Sequence, residues 1–577
     1  MIDYQAPLTD MQFVLEHLVG ERLAGLAPFA ALDRETIGAV LQEAARLVEA
    51  EIAPLNAAGD RQGCRLQETA VQTPAGFPAA YQAFVDGGWQ GLSLPEVDGG
   101  QGLPYLYSHV LMDMLAAANS AFSLYPMLTQ SACEALRLHG SEALRDRYLA
   151  TLTSGRFAGT MCLTEPQAGS DLSLIRTRAE PDGADAAGPA YRLTGTKIFI
   201  TGGEQDLSEN IVHMVLARLP DAPAGVEGIS LFLVPKLLPD GERNAVYCRG
   251  LEQKMGIHGA STCVMGFEGA RGWLVGEANR GLRHMFTMMN LARLAVGSQG
   301  LGIAEAAAQR ALGYARERLQ GRPGKGQRTG ETVPIVAHAE VRRMLLRLRT
   351  GAEGARMLAY DVAAEVDVAR HHADPARREQ AAGYVELMTP ICKAGLTDIG
   401  LANASLAVQV YGGHGYIRDN GVEQLLRDAK INCLYEGTNG IQAIDLVARK
   451  LRLADGALPE ILFRRVAKAP AEGAFAPLPA LLAQAREVTA RLQARLAAGE
   501  DVTGLAYPYL EGMLRLALAG QWSRAQQAAP ALAPAQAARK QAAAVFFART
   551  ELARARAEFE IAAQDPAECA LADPALV

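Results

Sequence analysis

The chain lacks the features that mark several common classes of protein. Its 577 residues include eight cysteines, yet no two form a CxxC pair and none has metal-finger spacing to a histidine, so no metal site is expected. No apolar stretch reaches about 18 residues, so no membrane-spanning helix is expected. An excess of positive charge is also missing, because the formal net charge is -7. Nothing in the overall charge therefore favours nucleic-acid binding.

The N-terminal sequence has neither a basic segment nor an uninterrupted apolar run. Asp3, Asp10 and Glu16 interrupt it, so it does not resemble a secretory signal, and it is too acidic for a typical organelle transit peptide. The cysteines are interpreted as reduced thiols, mostly buried as small apolar groups. We therefore expect a cytoplasmic protein without integral membrane association.

The length predicts several domains. Helical spacing of apolar residues covers about 34 to 155, beginning behind Asp33 as a candidate cap. Short β-branched and aromatic segments follow, such as YRLTGTKIFIT, and predict a β domain. Helical patterns then resume, which gives an α+β multidomain protein. The predicted parts are an arm (1–33), a helical domain (34–157), a β domain (158–280), a helical domain (281–455) and a helical extension (470–577).

Three stretches have residues suited to cofactor chemistry, although each has a purely structural explanation. LTEPQAGSD (163–171) can offer hydroxyls and amides to a polar group, or it is simply a capped turn. In KIFITGG (197–203), Phe199 and Thr201 alternate along a strand and can pack on a flat heterocycle, or they belong to a half-buried strand. Glu436 follows an apolar segment and precedes Gly437, which fits either a desolvated general base or a glutamate at a helix end.

Taken together, these stretches resemble the acyl-CoA dehydrogenase family. The resemblance runs in order from about residue 85 to 450 and is carried by LTEPQAGSD, KIFITGG, QKMGIHGAST, MNLARLAVGSQGLG, YARERLQGR, QVYGGHGYI, LLRDAKI and YEGTNGIQ. It implies an N-terminal helical domain, a middle β-barrel or sandwich domain and a C-terminal four-helix bundle. To these the chain adds an extra helical domain at its C-terminus.

The resemblance also implies FAD as cofactor, held by residues of two chains. The expected contacts of one chain with the flavin and its phosphates are Met161, Leu163, Thr164, Ser170, Phe199 and Thr201. Arg318, Gln409 and Gly413 match positions that approach the FAD of a neighbouring subunit, and Thr438 matches a further FAD contact. If these matches hold, the active site needs at least a homodimer.

Glu436 is the expected catalytic base. Some relatives carry the base one residue before the arginine that Arg293 matches, but that position here is Ala292, which cannot accept a proton. The implied reaction removes the α-proton of an acyl-CoA and gives a trans-2-enoyl-CoA. Ser170, Arg293, Tyr435 and Gly437 are the expected substrate contacts.

The arm and the extension are similar to those of a larger bacterial subgroup. It includes 3-methylmercaptopropionyl-CoA dehydrogenases and some long-chain fatty acyl-CoA dehydrogenases of β-oxidation, so both substrate classes stay open. The expected electron acceptor is an electron-transfer flavoprotein, and the extension favours a dimer over a tetramer. Alternatives are an acyl-CoA oxidase, a DNA-associated adaptive-response flavoprotein, which the acidic balance disfavours, and a scaffold without activity.

Overall fold

The computed structural model of the chain describes residues 4–322 and 331–566. Cys569, the end of the predicted extension and most of the segment QGRPGKGQRTGETVP lie outside these ranges. The chain forms two compact units. The helical unit contains Met1–Ala45, Pro104–Ala117 and Arg293–Val577, and the β unit contains Arg46–Leu103 and Ala118–Ala292. Among the described helices, none is long and apolar enough to cross a membrane.

Helices dominate the first part of the chain, as predicted. Asp33 caps one of them, since its Oδ1 accepts a hydrogen bond of 2.8 Å from the Thr36 amide. The helices are α1 (Leu8–Val14), α2 (Gly20–Ala24), α3 (Arg34–Leu47), α4 (Leu55–Gln62), α5 (Phe77–Asp86), α6 (Tyr105–Ala118), α7 (Ser120–His139) and α8 (Glu142–Thr153). A small antiparallel hairpin, β1 (Arg65–Gln67) and β2 (Ala70–Gln72), interrupts them. It is too short to leave a periodic pattern in the sequence.

A seven-stranded sheet forms the core of the β unit. Its strands are β3 (Phe157–Cys162), β4 (Arg178–Asp185), β5 (Gly188–Thr201), β6 (Asn210–Arg218), β7 (Ile229–Pro235), β8 (Val246–Leu251) and β9 (Thr262–Leu274). Because β7 pairs with both β6 and β9, and β4 links β5 to β6, the sheet closes on itself. The segment EPDGADAAGPA contains the turn that joins β4 to β5.

Helices form most of the rest of the described chain. They are α9 (Gly281–Glu317), α10 (Ala339–His371), α11 (Pro375–Tyr411), α12 (Val422–Asn432), α13 (Asn439–Ile444), α14 (Leu458–Ala467), α15 (Leu478–Ala497), α16 (Ala506–Ala528) and α17 (Pro534–Ala562). The predicted fold class and the order of helices, strands and helices are therefore confirmed. Each of the two compact units is built from separate stretches of the chain, and the domain limits drawn from sequence stay a prediction.

A buried ion cluster ties the N-terminal arm to the rest of the helical unit. Arg356 is fully buried and bonds Asp10 at 2.7 Å, Asp113 at 2.8 Å and Glu305 at 3.0 Å. Lys540 in the extension also pairs with Asp10. One carboxylate of the arm thus joins a helix of the bundle to a helix of the extension.

Candidate active site

Glu436 lies in a tight loop between α12 and α13. Its φ is +55° and that of Gly437 is +85°, so two consecutive residues adopt the left-handed conformation, which costs a glutamate about 1–3 kcal/mol. The Glu436 carbonyl accepts hydrogen bonds of 3.3 Å from Arg293 Nε and from Gln442 Nε2. One donor precedes Glu436 in the chain and the other follows it, and both hold the strained loop in place.

The Glu436 carboxylate differs from other buried acids of the chain because it has no direct partner. It makes no hydrogen bond or ion pair within residues 4–322 and 331–566. Burial raises its pKa to about 7, and the more distant charges of Arg293 and Lys393 offset only part of that rise. The side chain is still partly exposed, as a base that reaches a substrate must be. Ala292, the alternative base position, is fully buried.

The hydroxyl of Tyr435 forms hydrogen bonds inside the helical unit. That hydroxyl is hydrogen-bonded to Gln299 and lies 3.0 Å from Asn432 Oδ1, while burial raises its pKa. These hydrogen bonds stabilise the loop that carries Glu436. The contact of Tyr435 with substrate, expected from the sequence, stays a prediction. Thr438 caps α13, since its Oγ1 accepts from the Ile441 amide at 3.2 Å.

A polar network beneath the loop was not found from the sequence. Lys393 Nζ donates to Asn439 Oδ1 at 2.9 Å, and Asn439 Nδ2 donates to Asp398 Oδ1 at 2.9 Å. The hydroxyl of Tyr507, in the extension, donates to Asp398 Oδ2 at 2.5 Å. Burial lowers the pKa of Lys393 to about 8. The only sequence signal was a lysine within the apolar run ICKAGL; no pattern links it to Tyr507.

In the β unit, the segment after β3 is fastened to β5. Ile198 N donates to Thr164 O at 2.9 Å, and the buried Lys197 donates to Leu163 O at 2.9 Å and pairs with Glu165 at 2.8 Å. The structure thus brings LTEPQAGSD and KIFITGG together, which the sequence treated as separate stretches. Met161, at the end of β3, is buried, and Ser170 is exposed.

Phe199 provides the test of whether a flat cofactor fits the β unit. Its φ is +59° and its side chain is 59% exposed, at a bulge where β5 shifts register between Lys197 and Ile200. A strained backbone that presents a bare aromatic ring to solvent is costly unless a partner covers the ring. Ile200 is buried and Thr201 partly exposed; because the bulge interrupts the strand alternation at Phe199, the common face of Phe199 and Thr201 stays a prediction. These residues fit a flat aromatic ring system.

The predicted contacts with a neighbouring subunit's cofactor gather at one end of the helical unit. Tyr314 of α9 stacks on Tyr411 of α11 with ring centres 4.0 Å apart. This packing sets the end of α9, which Arg318 follows, against the end of α11, which carries Gln409 and precedes Gly413. All three are exposed, so a cofactor can approach them from outside the chain.

Family models match three consecutive parts of the chain. They describe the N-terminal, middle and C-terminal domains of acyl-CoA dehydrogenases and match residues 34–156, 160–270 and 279–451, respectively. The chain is also 46% identical to the 3-methylmercaptopropionyl-CoA dehydrogenase of Ruegeria pomeroyi, an alignment that covers 86% of this chain and 84% of that protein.

Solved structures of acyl-CoA dehydrogenases are also similar to this chain. Butyryl-CoA dehydrogenase from Megasphaera elsdenii has a TM-score of 0.59 at 27% identity, covering 71% of this chain and 97% of that one. ACDH-11 of Caenorhabditis elegans, solved in complex with C11-CoA, has a TM-score of 0.78 at 17% identity and covers 96% of this chain and 93% of its own, which shows the fold alone. The chain therefore belongs to the acyl-CoA dehydrogenase family and is an FAD-dependent oxidoreductase that acts on acyl-CoA thioesters.

Proposed function

We propose that Glu436 is the base that removes the α-proton of the acyl-CoA as the thioester is converted to a trans-2-enoyl-CoA. The observation that carries this proposal is a carboxylate without a direct partner whose pKa burial raises to about 7. A base works best when its pKa lies near the working pH, because it is then both deprotonated and basic enough to take the proton. Carboxylates with an ordinary pKa are much weaker bases.

The loop around Glu436 does the positioning. Arg293 and Gln442 hold its carbonyl, so the backbone cannot relax out of the left-handed conformation and the carboxylate keeps its direction. Arg293 also keeps positive charge close enough to favour ionised Glu436 without a salt bridge that would quench it. The Glu436 amide is a donor that can polarise a thioester carbonyl, which lowers the cost of removing the α-proton.

Met161, Leu163, Thr164, Ser170, Phe199 and Thr201 are the residues that we propose to hold FAD in the β unit. The bound cofactor supplies a two-electron acceptor for the hydride that leaves Cβ. Support comes from the exposed Phe199 ring and from the hydrogen bonds that fix the Thr164 segment against β5. From the helical unit, Thr438 is proposed as a further contact.

We further propose a homodimer in the cytoplasm that passes electrons to an electron-transfer flavoprotein. Arg318, Gln409 and Gly413 are proposed to contact the FAD of the second subunit. Next to Gly413, Tyr416 is 87% exposed and Ile417 is 51% exposed. Apolar side chains with this exposure are expected at a subunit contact.

For the substrate, we propose a short acyl chain, with 3-methylmercaptopropionyl-CoA as the first candidate. The relative that oxidises it, by its name, is 46% identical over most of both chains. Substrate specificity can nevertheless change with a few pocket side chains. Butyryl-CoA is the matched straight-chain test, because its chain is short and carries no sulfur.

The experiment mixes the FAD-loaded protein anaerobically with 3-methylmercaptopropionyl-, butyryl-, octanoyl- and palmitoyl-CoA and records bleaching of the flavin band. We expect fast bleaching with the short substrates and a loss of about 10²–10⁴-fold in Glu436→Gln. Glu379→Gln, an exposed position on α11, is the matched control. Bleaching of Glu436→Gln at the wild-type rate would place the base at another residue.

A further inference from the structure

A pocket of about 430 Å³ lies within the helical unit where the arm packs against the bundle and the extension. It is separate from the Glu436 loop and shares no residue with it. Its walls come from the π-helix Leu15–Val19 and α2, from α10 and α11, and from α14 with the residue after it and α16. Cationic side chains dominate the lining: Arg22, Arg377, Arg465, Lys468 and Arg524.

Three of these arginines form ion pairs with two buried carboxylates. Asp361 Oδ1 is 2.8 Å from Arg22 and 2.7 Å from Arg465. Glu365 bonds the same two arginines and also Arg377 at 2.7 Å. The guanidiniums hold the pKa of both carboxyls below their usual range. Both acids are therefore charged and have little capacity left for another cation.

Arg524 and Lys468 are the surplus cations. The nearest carboxylate oxygen to Arg524 is 3.8 Å away, and its buried Nε finds no hydrogen-bond partner among the described residues. Lys468 is exposed and forms no ion pair within residues 4–322 and 331–566. Of the acidic lining residues, Glu16 is already paired with Arg34 at 2.8 Å, which leaves Glu21 at the rim. The five cationic side chains of the lining therefore outnumber the three carboxylates near them that are not paired elsewhere, those of Asp361, Glu365 and Glu21.

We propose that this pocket binds a small phosphate-bearing anion, held mainly by Arg524 and Lys468. A partly buried guanidinium without a carboxylate in contact is costly, and a ligand anion removes that cost. Guanidiniums match phosphate oxygens in pairs, whereas a lysine adds a point charge. The volume lies at the lower end for small-molecule sites, which suits a diphosphate group better than a single inorganic phosphate. Such a ligand would bridge the arm, α11, α14 and α16.

The test is calorimetric titration of the FAD-loaded full chain with inorganic phosphate, pyrophosphate and ADP at fixed salt. We expect pyrophosphate or ADP to bind at one site per chain and to raise the melting temperature. Tighter binding of ADP would indicate a nucleotide, and tighter binding of pyrophosphate an inorganic ligand. Absence of binding by all three probes would overturn the proposal.

Variants locate the site. Arg524→Gln and Lys468→Gln are each expected to weaken binding at least tenfold, and the second changes an exposed residue whose loss should not disturb folding. Arg539→Gln, an exposed arginine of α17, is the matched control for general loss of positive charge. An equal loss in Arg539→Gln, or unchanged binding in both pocket variants, would show that the anion binds elsewhere or only through diffuse charge. Neither pocket residue belongs to the proposed catalytic site, so flavin reduction should stay at the wild-type rate.

Discussion

Two regions of the helical unit bury carboxylates and treat them in opposite ways. In the loop between α12 and α13, called the base loop after the role proposed for Glu436, this residue has no direct partner among the described residues and burial raises its pKa to about 7. In the cluster between the arm and the extension, burial alone would raise the pKa of Asp10, but the charges of Lys540 and Arg356 in contact with it lower that pKa to about 2. The two pKa values differ because the cations near Glu436 form no direct contact with its carboxylate, whereas those near Asp10 do. Direct pairing favours stability, and its absence favours reactivity.

The largest expected effect comes from breaking the paired region. Replacing Arg356 with methionine keeps much of the volume but leaves Asp10, Asp113 and Glu305 without their shared cation. Removal of one partner of a buried ion pair typically costs about 3–5 kcal/mol. Urea unfolding at neutral pH should therefore show a loss of this size, with Arg539→Gln as the control. A loss below about 1 kcal/mol would mean that water solvates the cluster.

The opposite effect is expected at the base loop. A folded-state pKa near 7, above the ordinary value for a glutamate, means that the folded protein loses stability as pH rises from about 4.5 to about 7. Glu436→Gln removes this cost, so it should be more stable than wild type by about 1–3 kcal/mol at about pH 8. The two proteins should have similar stability at about pH 4. Equal unfolding curves at both pH values would show that Glu436 is not desolvated.

Lys393 tests how distant cations tune the pKa of the proposed base. Its charge lowers the pKa of Glu436, so Lys393→Met should move the pH dependence of flavin reduction to higher pH. Lys430→Met, an exposed change on α12, should leave the profile in place. A fall in rate at every pH, with no shift of the midpoint, would indicate a purely structural role for Lys393.

The smallest expected effect is at the contact between the extension and the base loop. Tyr507→Phe removes the hydrogen bond to Asp398, which should cost about 0.5–1.5 kcal/mol in unfolding free energy. Flavin reduction should slow only a few-fold, because Asn439 keeps its bonds to Lys393 and Asp398. Loss of reduction comparable to Glu436→Gln would mean that the extension controls the base loop directly.

Much of the fold could be predicted because it rests on local patterns. The helical spacing behind Asp33 predicts a helix, and the β-branched run that forms β5 predicts a strand. Of the site, Glu436 was identifiable from its place in YEGT. The Lys393–Asn439–Asp398–Tyr507 network was not, since its hydrogen bonds join residues between 41 and 109 positions apart. The bulge at Phe199 also escaped, because phenylalanine rarely adopts a positive φ and so gives no sign of one.

The most direct test of the central claim is the pH dependence of anaerobic flavin reduction by a saturating short-chain acyl-CoA, from about pH 5 to about pH 9. The account predicts a rate that rises about tenfold per pH unit at low pH and levels off near pH 7, where Glu436 ionises. The same limb should be absent from the residual rate of Glu436→Gln. A wild-type rate that does not change between about pH 5 and about pH 7, or a limb that persists in Glu436→Gln, would contradict the assignment of Glu436 as an unpaired base with a raised pKa.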